Sequence, residues 1–242
     1  MKKTPPFSIL YEDDNVIAVN KSSGLSVGGD RWDASQERLD KLLEAYTGTV
    51  RHLYAVHRLD KETSGVVVFA KNAQTHKSLC AAFEKREVGK TYLVIVHGKP
   101  AWRETTCELR LVPDGNKKHQ TIIDMVRGKR AVTRFTALSC AGNYTALRAE
   151  PETGRTHQIR VSLAWMRHPV VCDELYGSGK PLMLSAVKHG WHGDKITERP
   201  LLARLGLHAA ELHLPSLPVF KAPFPRDIKA VLHQFEKNGV TL

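Results

Sequence analysis

The sequence has no long apolar run and no recognisable targeting segment. No stretch approaches the roughly 18 consecutive apolar residues that a membrane-spanning helix requires. Residues 1–7 include two lysines, but no apolar run follows them and acidic residues begin at residue 12. The segment therefore matches neither a secretory signal nor a transit peptide. We therefore expect a cytoplasmic protein with no membrane partner.

Cysteine is also scarce. The four cysteines, Cys80, Cys107, Cys140 and Cys172, are widely spaced and form no C-x-x-C pair. Zinc sites usually pair their cysteines closely in sequence, and a disulfide framework is unusual in a cytosolic chain of this length. The pattern predicts four small buried side chains and no metal site.

Acidic residues are outnumbered by basic ones. The chain has 36 Lys and Arg against 25 Asp and Glu, which gives a formal net charge of +11. The basic residues are spread along the chain, which is typical of a folded cationic surface that attracts polyanions. A protein that is merely basic and soluble explains the charge equally well, so charge alone suggests nucleic acid without naming a reaction.

Repeats, long linkers and low-complexity tracts are absent too, so a single domain over residues 1–242 is the simplest interpretation. Apolar periodicity predicts strands at 9–11, 16–19, 66–70, 90–97, 131–139 and 142–150. It predicts helices at 35–46, 156–167 and 226–237, and a further helix that begins after a cap at Asn72. Because strands and helices mix without regular alternation, we expect an α+β fold rather than a doubly wound one.

Two polar segments interrupt these apolar elements. Residues 57–65, HRLDKETSG, lie just before the apolar run at 66–70. Residues 154–160, GRTHQIR, open the helix predicted at 156–167. Charged groups in such places are costly unless they serve a site, so both segments are candidates for function.

Together with K-T-Y at 90–92, these segments resemble the three motifs of the RluA-type pseudouridine synthases. Weaker matches lie at 9–13, 19–21, 128–133, 168–177 and 207–209, in family order, so that the resemblance spans about residues 8–227. The chain departs from the family pattern at Ser22, where a proline is usual, and at Gly28 and Gly29, where histidine and proline are frequent. The N-terminal RNA-binding domain of many relatives is not expected here.

The resemblance implies a fold and an activity. The expected fold has a mixed, mostly antiparallel central sheet flanked by helices and loops, with a central RNA-binding cleft. The expected activity is the isomerisation of one uridine to pseudouridine in a structured ribosomal or transfer RNA, by a monomer that needs no metal or organic cofactor.

The resemblance also assigns the catalytic residues. Asp60 matches the nucleophile, and a carboxylate is suited to holding a sugar or a base covalently. The sequence leaves open whether it attacks the sugar, attacks the base or removes a sugar proton; alone, it would be an ordinary turn aspartate. Arg160 matches the cation expected to keep Asp60 ionised in a dry pocket. Leu163 and Ala164 place Arg160 on the core-facing side of its helix rather than on the surface.

Other candidates follow from the same motifs. Tyr92 matches a tyrosine that stacks on the flipped base or helps to remove its proton, although its pattern also fits a core tyrosine. Arg58 matches an arginine that fills the RNA stack when a base leaves it. The remaining candidates for substrate binding are Ile159, His57 and His157. Ile159 fits the core nearly as well, and the two histidines, with Thr63 and Gln158, fit a supporting role better than substrate contact.

Two other functions compete with isomerisation. A glycosidase for nucleosides would share the carboxylate and the flipped base, and a non-catalytic RNA-binding or chaperone protein would share the basic surface. The sequence identifies neither the RNA nor the uridine. Residues 178–206 are the candidate specificity insert, or else a solvated surface excursion; the basic and aromatic residues there are Lys180, Lys188, His189, Trp191, His192, Lys195 and Arg204.

Overall fold

The computed structural model of the chain describes residues 6–29, 36–48 and 52–241. The helices are α1 (Leu39–Thr47), α2 (Ala73–Lys85), α3 (Gln158–Trp165) and α4 (Arg226–Asn238). The strands are β1 (Phe7–Glu12), β2 (Val16–Lys21), β3 (Tyr54–Ala55), β4 (Ser64–Ala70), β5 (Gly89–His97), β6 (Glu104–Val112), β7 (Ile122–Ile123), β8 (Lys129–Ala141), β9 (Tyr144–Pro151), β10 (Leu182–Met183), β11 (Pro200–Leu202), β12 (Leu207–His213), β13 (Phe220–Lys221) and β14 (Val240–Thr241). The mixture confirms the predicted α+β class.

The chain forms two compact units. The first consists of Met1–Lys90 and His208–Pro223, and the second of Thr91–Leu207 and Phe224–Leu242. Among the described residues, no helix is long and apolar enough to cross a membrane.

The first unit is built around β4. All seven residues of β4 are buried, as the continuous apolar run predicted. The strand pairs antiparallel with β2 on one side, and on the other it pairs antiparallel with β3 and parallel with β12. Val66 and Val68 pack with Leu79 and Ala82 of α2. The predicted cap of that helix is confirmed, because Asn72 Oδ1 accepts a hydrogen bond from the Thr75 amide at 2.8 Å.

The second unit contains an antiparallel sheet in the order β5–β9–β8–β6–β7. Side chains alternate between its two faces, and each face has its own core. On one face, Val94 and Val96 pack in a cluster with Leu163 of α3. On the other, Ile95 packs in a cluster with Val231 and Phe235 of α4.

The predicted elements differ from the observed ones mainly at their ends. The strands expected at 90–97, 131–139 and 142–150 are β5, β8 and β9, each longer or shifted by up to two residues. The helix expected at 156–167 is shorter, because His157 adopts a left-handed backbone conformation (φ 52°) at the N-cap of α3. Part of the helix expected at 35–46 lies outside the described residues, and α1 begins at Leu39.

Replacing Gly65 with alanine is expected to destabilise the first unit. Gly65 has φ +120°, and a Cβ there would overlap the backbone of Ala209 on the parallel strand β12. Strain and overlap together predict a loss of about 2–3 kcal/mol in the free energy of unfolding, measured by urea denaturation. Gly28→Ala is the control, since its Cβ would meet no atom within 4 Å. Equal stabilities of the two variants would contradict the prediction.

Candidate active site

Asp60 lies in the loop that leads into β4 of the first unit. Asp60 is half-buried, and its backbone carbonyl accepts a hydrogen bond from the Thr63 amide at 3.0 Å. Arg58, two residues earlier, is exposed. The loop therefore presents Arg58 to solvent and turns back towards the buried strand directly after Asp60.

His57 attaches the start of this loop to β4. Its Nε2 accepts a hydrogen bond from the Val68 amide at 3.1 Å, and its ring stacks on Phe83 of α2 at a centroid distance of 5.1 Å. Burial and, to a smaller extent, the nearby charge of Lys90 lower the pKa of His57 to about 4. A neutral imidazole is what this contact requires, since a doubly protonated ring has no acceptor.

The stability of the first unit should therefore depend on pH through His57. Its pKa is lower in the folded protein (about 4) than its ordinary value of 6.5, so its contribution is fully present above pH 6.5 and is lost as pH falls towards 4. The loss is at most about 3 kcal/mol, since one unit of pKa shift corresponds to about 1.4 kcal/mol. We expect His57→Gln to remove this part of the pH dependence, because an amide oxygen accepts the same bond without titrating.

The measurement is urea denaturation of both proteins at several pH values between 7 and 4. Other carboxylates titrate in this window, so the difference between wild type and variant is the informative quantity. Parallel curves for the two proteins would contradict the assignment.

The other end of the loop is attached to the segment after β2. The Lys61 carbonyl accepts a hydrogen bond from the Gly24 amide at 2.9 Å. The Glu62 carbonyl accepts one from the Ser23 hydroxyl at 2.7 Å. Asp60 is thus held between two anchored ends of a short loop.

In the second unit, Arg160 forms a buried ion pair. Its Nε and Nη2 donate to the two carboxylate oxygens of Asp173 at 2.8 and 2.9 Å. The two side chains are 7% and 0% exposed. The Asp173 carboxylate also accepts the backbone amides of Leu175 and Tyr176, each at 3.0 Å. The pairing of Arg160 with Asp173 was not foreseen from the sequence; the pairing predicted for Arg160 and Asp60 stays a prediction.

Tyr176 supports Arg160 from a second direction. The guanidinium carbon of Arg160 lies 5.2 Å from the centre of the Tyr176 ring, within the range of a cation–π contact. The Tyr176 hydroxyl accepts the Thr121 amide at 2.8 Å and lies 2.9 Å from His157 Nδ1. Burial raises the pKa of Tyr176, so the phenol keeps its proton and can donate it to His157.

The residues around Arg160 fix the start of α3. Gln158 is buried, and its amide group contacts the Val132 carbonyl, the Thr133 hydroxyl and the Thr153 hydroxyl at 2.7–2.9 Å. Ile159 is 6% exposed and packs in the core of the second unit. His157, Gln158 and Ile159 therefore have structural contacts that account for their positions.

Tyr92 lies on β5, on the same face as Val94 and Val96. It is half-buried and packs at the edge of their core cluster. Lys90, two residues earlier at the end of the first unit, is half-buried, and burial lowers its pKa to about 8. Tyr92 is thus a partly exposed residue at the edge of a core cluster.

Metal-ligating side chains do not gather anywhere in the described part of the chain. Over these residues, no group of three or more His, Cys, Asp and Glu side chains has the arrangement of a metal site. The first unit instead offers one carboxylate in an anchored loop, and the second unit offers one buried guanidinium fixed by a carboxylate and an aromatic ring.

The sequence model of one family, described as RNA pseudouridylate synthase, matches residues 15–165. This range contains Asp60, Tyr92 and Arg160 with all three motifs. The chain belongs to this family. The family predicted from the three motifs is therefore confirmed, and with it the class of RNA-acting isomerases.

Individual relatives agree with this assignment. "Ribosomal large subunit pseudouridine synthase D" of Haemophilus ducreyi is 34% identical over 242 residues, covering 96% of this chain and 72% of that protein. The protein of the same name from Borreliella burgdorferi is 34% identical over 179 residues, covering 71% of this chain but only 55% of its own length. The chain thus spans about half of one relative and nearly three quarters of the other.

A solved structure of another protein has the same fold as this chain. Human RNA Pseudouridylate Synthase Domain Containing 4 is 25% identical, with a TM-score of 0.72 and coverage of 95% of this chain and 93% of the human chain. The predicted pseudouridine synthase fold is confirmed by this likeness.

Proposed function

We propose that the protein isomerises one specific uridine to pseudouridine in ribosomal RNA of the large subunit. The observation that carries the proposal is the presence of Asp60, Tyr92 and Arg160, in their motifs, within a region that matches the RNA pseudouridylate synthase family. The large ribosomal subunit is favoured over transfer RNA because relatives named for that substrate are about 34% identical. We further propose that the protein acts as a cytoplasmic monomer without a cofactor.

The reaction is balanced within one nucleotide. The bond from N1 of uracil to C1′ of the sugar breaks, the base turns, and a bond forms from C5 to C1′. The C5 proton leaves and N1 gains a proton. Because nothing is oxidised or reduced and no group is donated from outside, positioned side chains are sufficient for this chemistry.

Asp60 is proposed as the nucleophile that holds one fragment covalently while the other turns. The anchored loop supports this role, since a nucleophile is effective only when its approach is fixed to within a fraction of an ångström. Tyr92 is proposed to stack on the flipped uracil or to assist removal of the C5 proton. Arg160 is proposed to favour the anionic form of Asp60, and its rigid support by Asp173 and Tyr176 suits a fixed charge.

Arg58 is proposed to take the place of the extruded uridine in the RNA stack. Extrusion costs a few kcal/mol, and a planar guanidinium in the gap would offset part of this cost. The exposure of Arg58 suits that role. His57, His157 and Ile159 are proposed as supports of these groups, in keeping with their contacts to Val68, Tyr176 and the core.

One experiment separates this proposal from its two competitors. The protein is incubated with uridine-labelled large-subunit RNA, and the RNA is digested to nucleosides and analysed. Pseudouridine supports the isomerase, free uracil supports a nucleosidase, and unchanged uridine supports a binding protein. Transfer RNA treated in the same way tests the alternative substrate, and sequencing RNA from cells that lack the protein would locate the uridine.

RNA binding is expected to weaken steeply as salt rises. The net charge of +11 predicts several phosphate contacts, and each contributes about 0.7–0.9 to the slope of log K against log salt concentration. The slope is measured by filter binding or fluorescence anisotropy between 50 and 300 mM salt, roughly the range where such effects are large. A slope near zero would mean that the positive charge is incidental.

The proposed specificity segment, residues 178–206, can be tested in the same assay. Ser185 and Glu198 fasten it through two hydrogen bonds of 2.7 Å, and Arg204 binds Asp227 of α4 through two bonds. Lys188 and Lys195 are exposed. The double variant Lys188→Gln, Lys195→Gln should lower the slope of log K against log salt concentration by up to about 2. The control is the same double change at Lys77 and Lys85 on α2.

A further inference from the structure

Lys21, at the end of β2, carries a fully buried ammonium group. Its relative exposure is 0%, and it is among the largest fully buried side chains of the protein. Its Nζ donates to the backbone carbonyls of Ser22 (2.9 Å), Leu25 (2.8 Å) and Lys61 (3.0 Å). Three carbonyls match the three N–H donors of an ammonium group.

These carbonyls come from the two segments that hold the proposed nucleophile. Ser22 and Leu25 belong to the turn after β2, and Lys61 directly follows Asp60. The Lys61 carbonyl is shared, because it also accepts the Gly24 amide at 2.9 Å. Lys21 itself pairs with Gly65 at the start of β4, where the Asp60 loop ends. One side chain therefore ties together the turn, the loop and the strand.

A buried cation is an expensive way to hold a loop. Moving a charge out of water is unfavourable unless hydrogen bonds replace its hydration, and lysine is rarely fully buried. An apolar side chain would fill this volume at a lower cost in desolvation, but it would leave the three carbonyls without this donor. The buried ammonium group, which has no access to solvent, instead fixes the backbone next to Asp60 in one conformation through these three hydrogen bonds.

We propose that Lys21 is a positioning residue for Asp60: its buried ammonium group holds the Lys61 carbonyl and thereby fixes the loop that presents the nucleophile. The proposal rests on the proposed function for its catalytic consequence. A positioning residue of this kind affects the chemical step more than RNA binding, because a displacement of about 1 Å at a reacting group costs about 10²-fold in rate.

The test compares Lys21→Met with Lys71→Met. Lys71 is a matched control in the same unit, since its Nζ binds the Glu12 carboxylate at 2.8 Å and the Asp13 carbonyl at 2.7 Å, at the opposite end of β4. At saturating RNA, the single-turnover rate of Lys21→Met is expected to fall about 10²-fold while its RNA affinity changes less than about threefold. Lys71→Met should keep the wild-type rate. Equal rates for the two variants, both folded, would overturn the proposal.

A second variant and a second measurement keep the test decisive. Lys21→Gln retains an amide donor without the charge, and its rate should lie between those of wild type and Lys21→Met; this variant replaces Lys21→Met if the latter does not fold. Hydrogen exchange of residues 58–65 should accelerate in either Lys21 variant and not in Lys71→Met. Unchanged exchange there would overturn the positioning role. Because exchange requires no turnover, it tests Lys21 even if the wild-type protein makes no pseudouridine, which would refute the proposed function alone.

Discussion

Asp60→Asn is expected to abolish pseudouridine formation while RNA binding stays within a few-fold of wild type. The substitution preserves the size of the side chain and removes the negative charge and the nucleophilic oxygen. The described anchors of the loop use the backbone of residues 61–63 and the ring of His57, and the variant retains all of them. Loss of an essential nucleophile typically lowers the rate by about 10⁴-fold or more.

The control for this experiment is Glu62→Gln. Glu62 is an exposed carboxylate in the same loop, two residues from Asp60. Its replacement removes the same charge from the same segment, so normal turnover in Glu62→Gln with none in Asp60→Asn would assign the effect to the nucleophile rather than to local charge. Turnover by Asp60→Asn above about one hundredth of the wild-type rate would remove Asp60 from its role.

Asp173→Asn is expected to cause the largest loss of stability among the substitutions considered. The change leaves the buried guanidinium of Arg160 without its anionic partner and directs an N–H group at it. Breaking a buried pair in this way typically costs about 3–5 kcal/mol in the free energy of unfolding. Pseudouridine formation should also fall in the fraction that stays folded, because Arg160 loses the contact that fixes its orientation.

The second unit supplies its own control for this prediction. Arg204 and Asp227 form the same two-bond pair at 2.7 and 2.9 Å, but their side chains are 19% and 33% exposed. Asp227→Asn should cost only about 1 kcal/mol, because solvent compensates for the lost charge. Denaturation by urea measures both variants, and similar losses for the two would show that burial does not set the strength of the Arg160 pair.

A double variant separates charge from packing. Arg160→Met with Asp173→Leu removes both charges from the interior, which often restores stability. The recovery should be partial, because the Asp173 carboxylate also accepts the amides of Leu175 and Tyr176. Turnover should not recover, since no cation remains at position 160.

Local sequence signals predicted much of the fold. The apolar run of β4 and the cap at Asn72 depend on neighbouring residues, and both were found as expected. Strands β6 and β12 were not predicted. In β6, exposed polar residues alternate with the buried Cys107, Leu109 and Leu111, a local strand pattern that the prediction overlooked. Strand β12 is instead held by parallel pairing with β4, where His208 lies beside Ser64, 144 residues earlier in the chain. Such distant pairing leaves little trace in local periodicity.

The candidate site was predictable to the extent that it lies in motifs. Asp60, Tyr92 and Arg160 were selected because they stand in recognisable segments, and their roles stay predictions. Asp173 was seen only as a weak match, since nothing in the sequence links it to an arginine 13 residues away. Lys21 was missed as a structural group because lysine is usually exposed, so its burial is visible only when the carbonyls around it are known.

The parallel pairing of β4 with β12 has a consequence for biosynthesis. The strand that follows the Asp60 loop needs its neighbour from residues 208–213, and the buried bond between Ser64 and His208 cannot form until the ribosome has made that segment. Growing chains fold from the N-terminus as units become complete. The loop that carries Asp60 therefore acquires this support only after the 144 residues that separate His208 from Ser64 have been added to the chain.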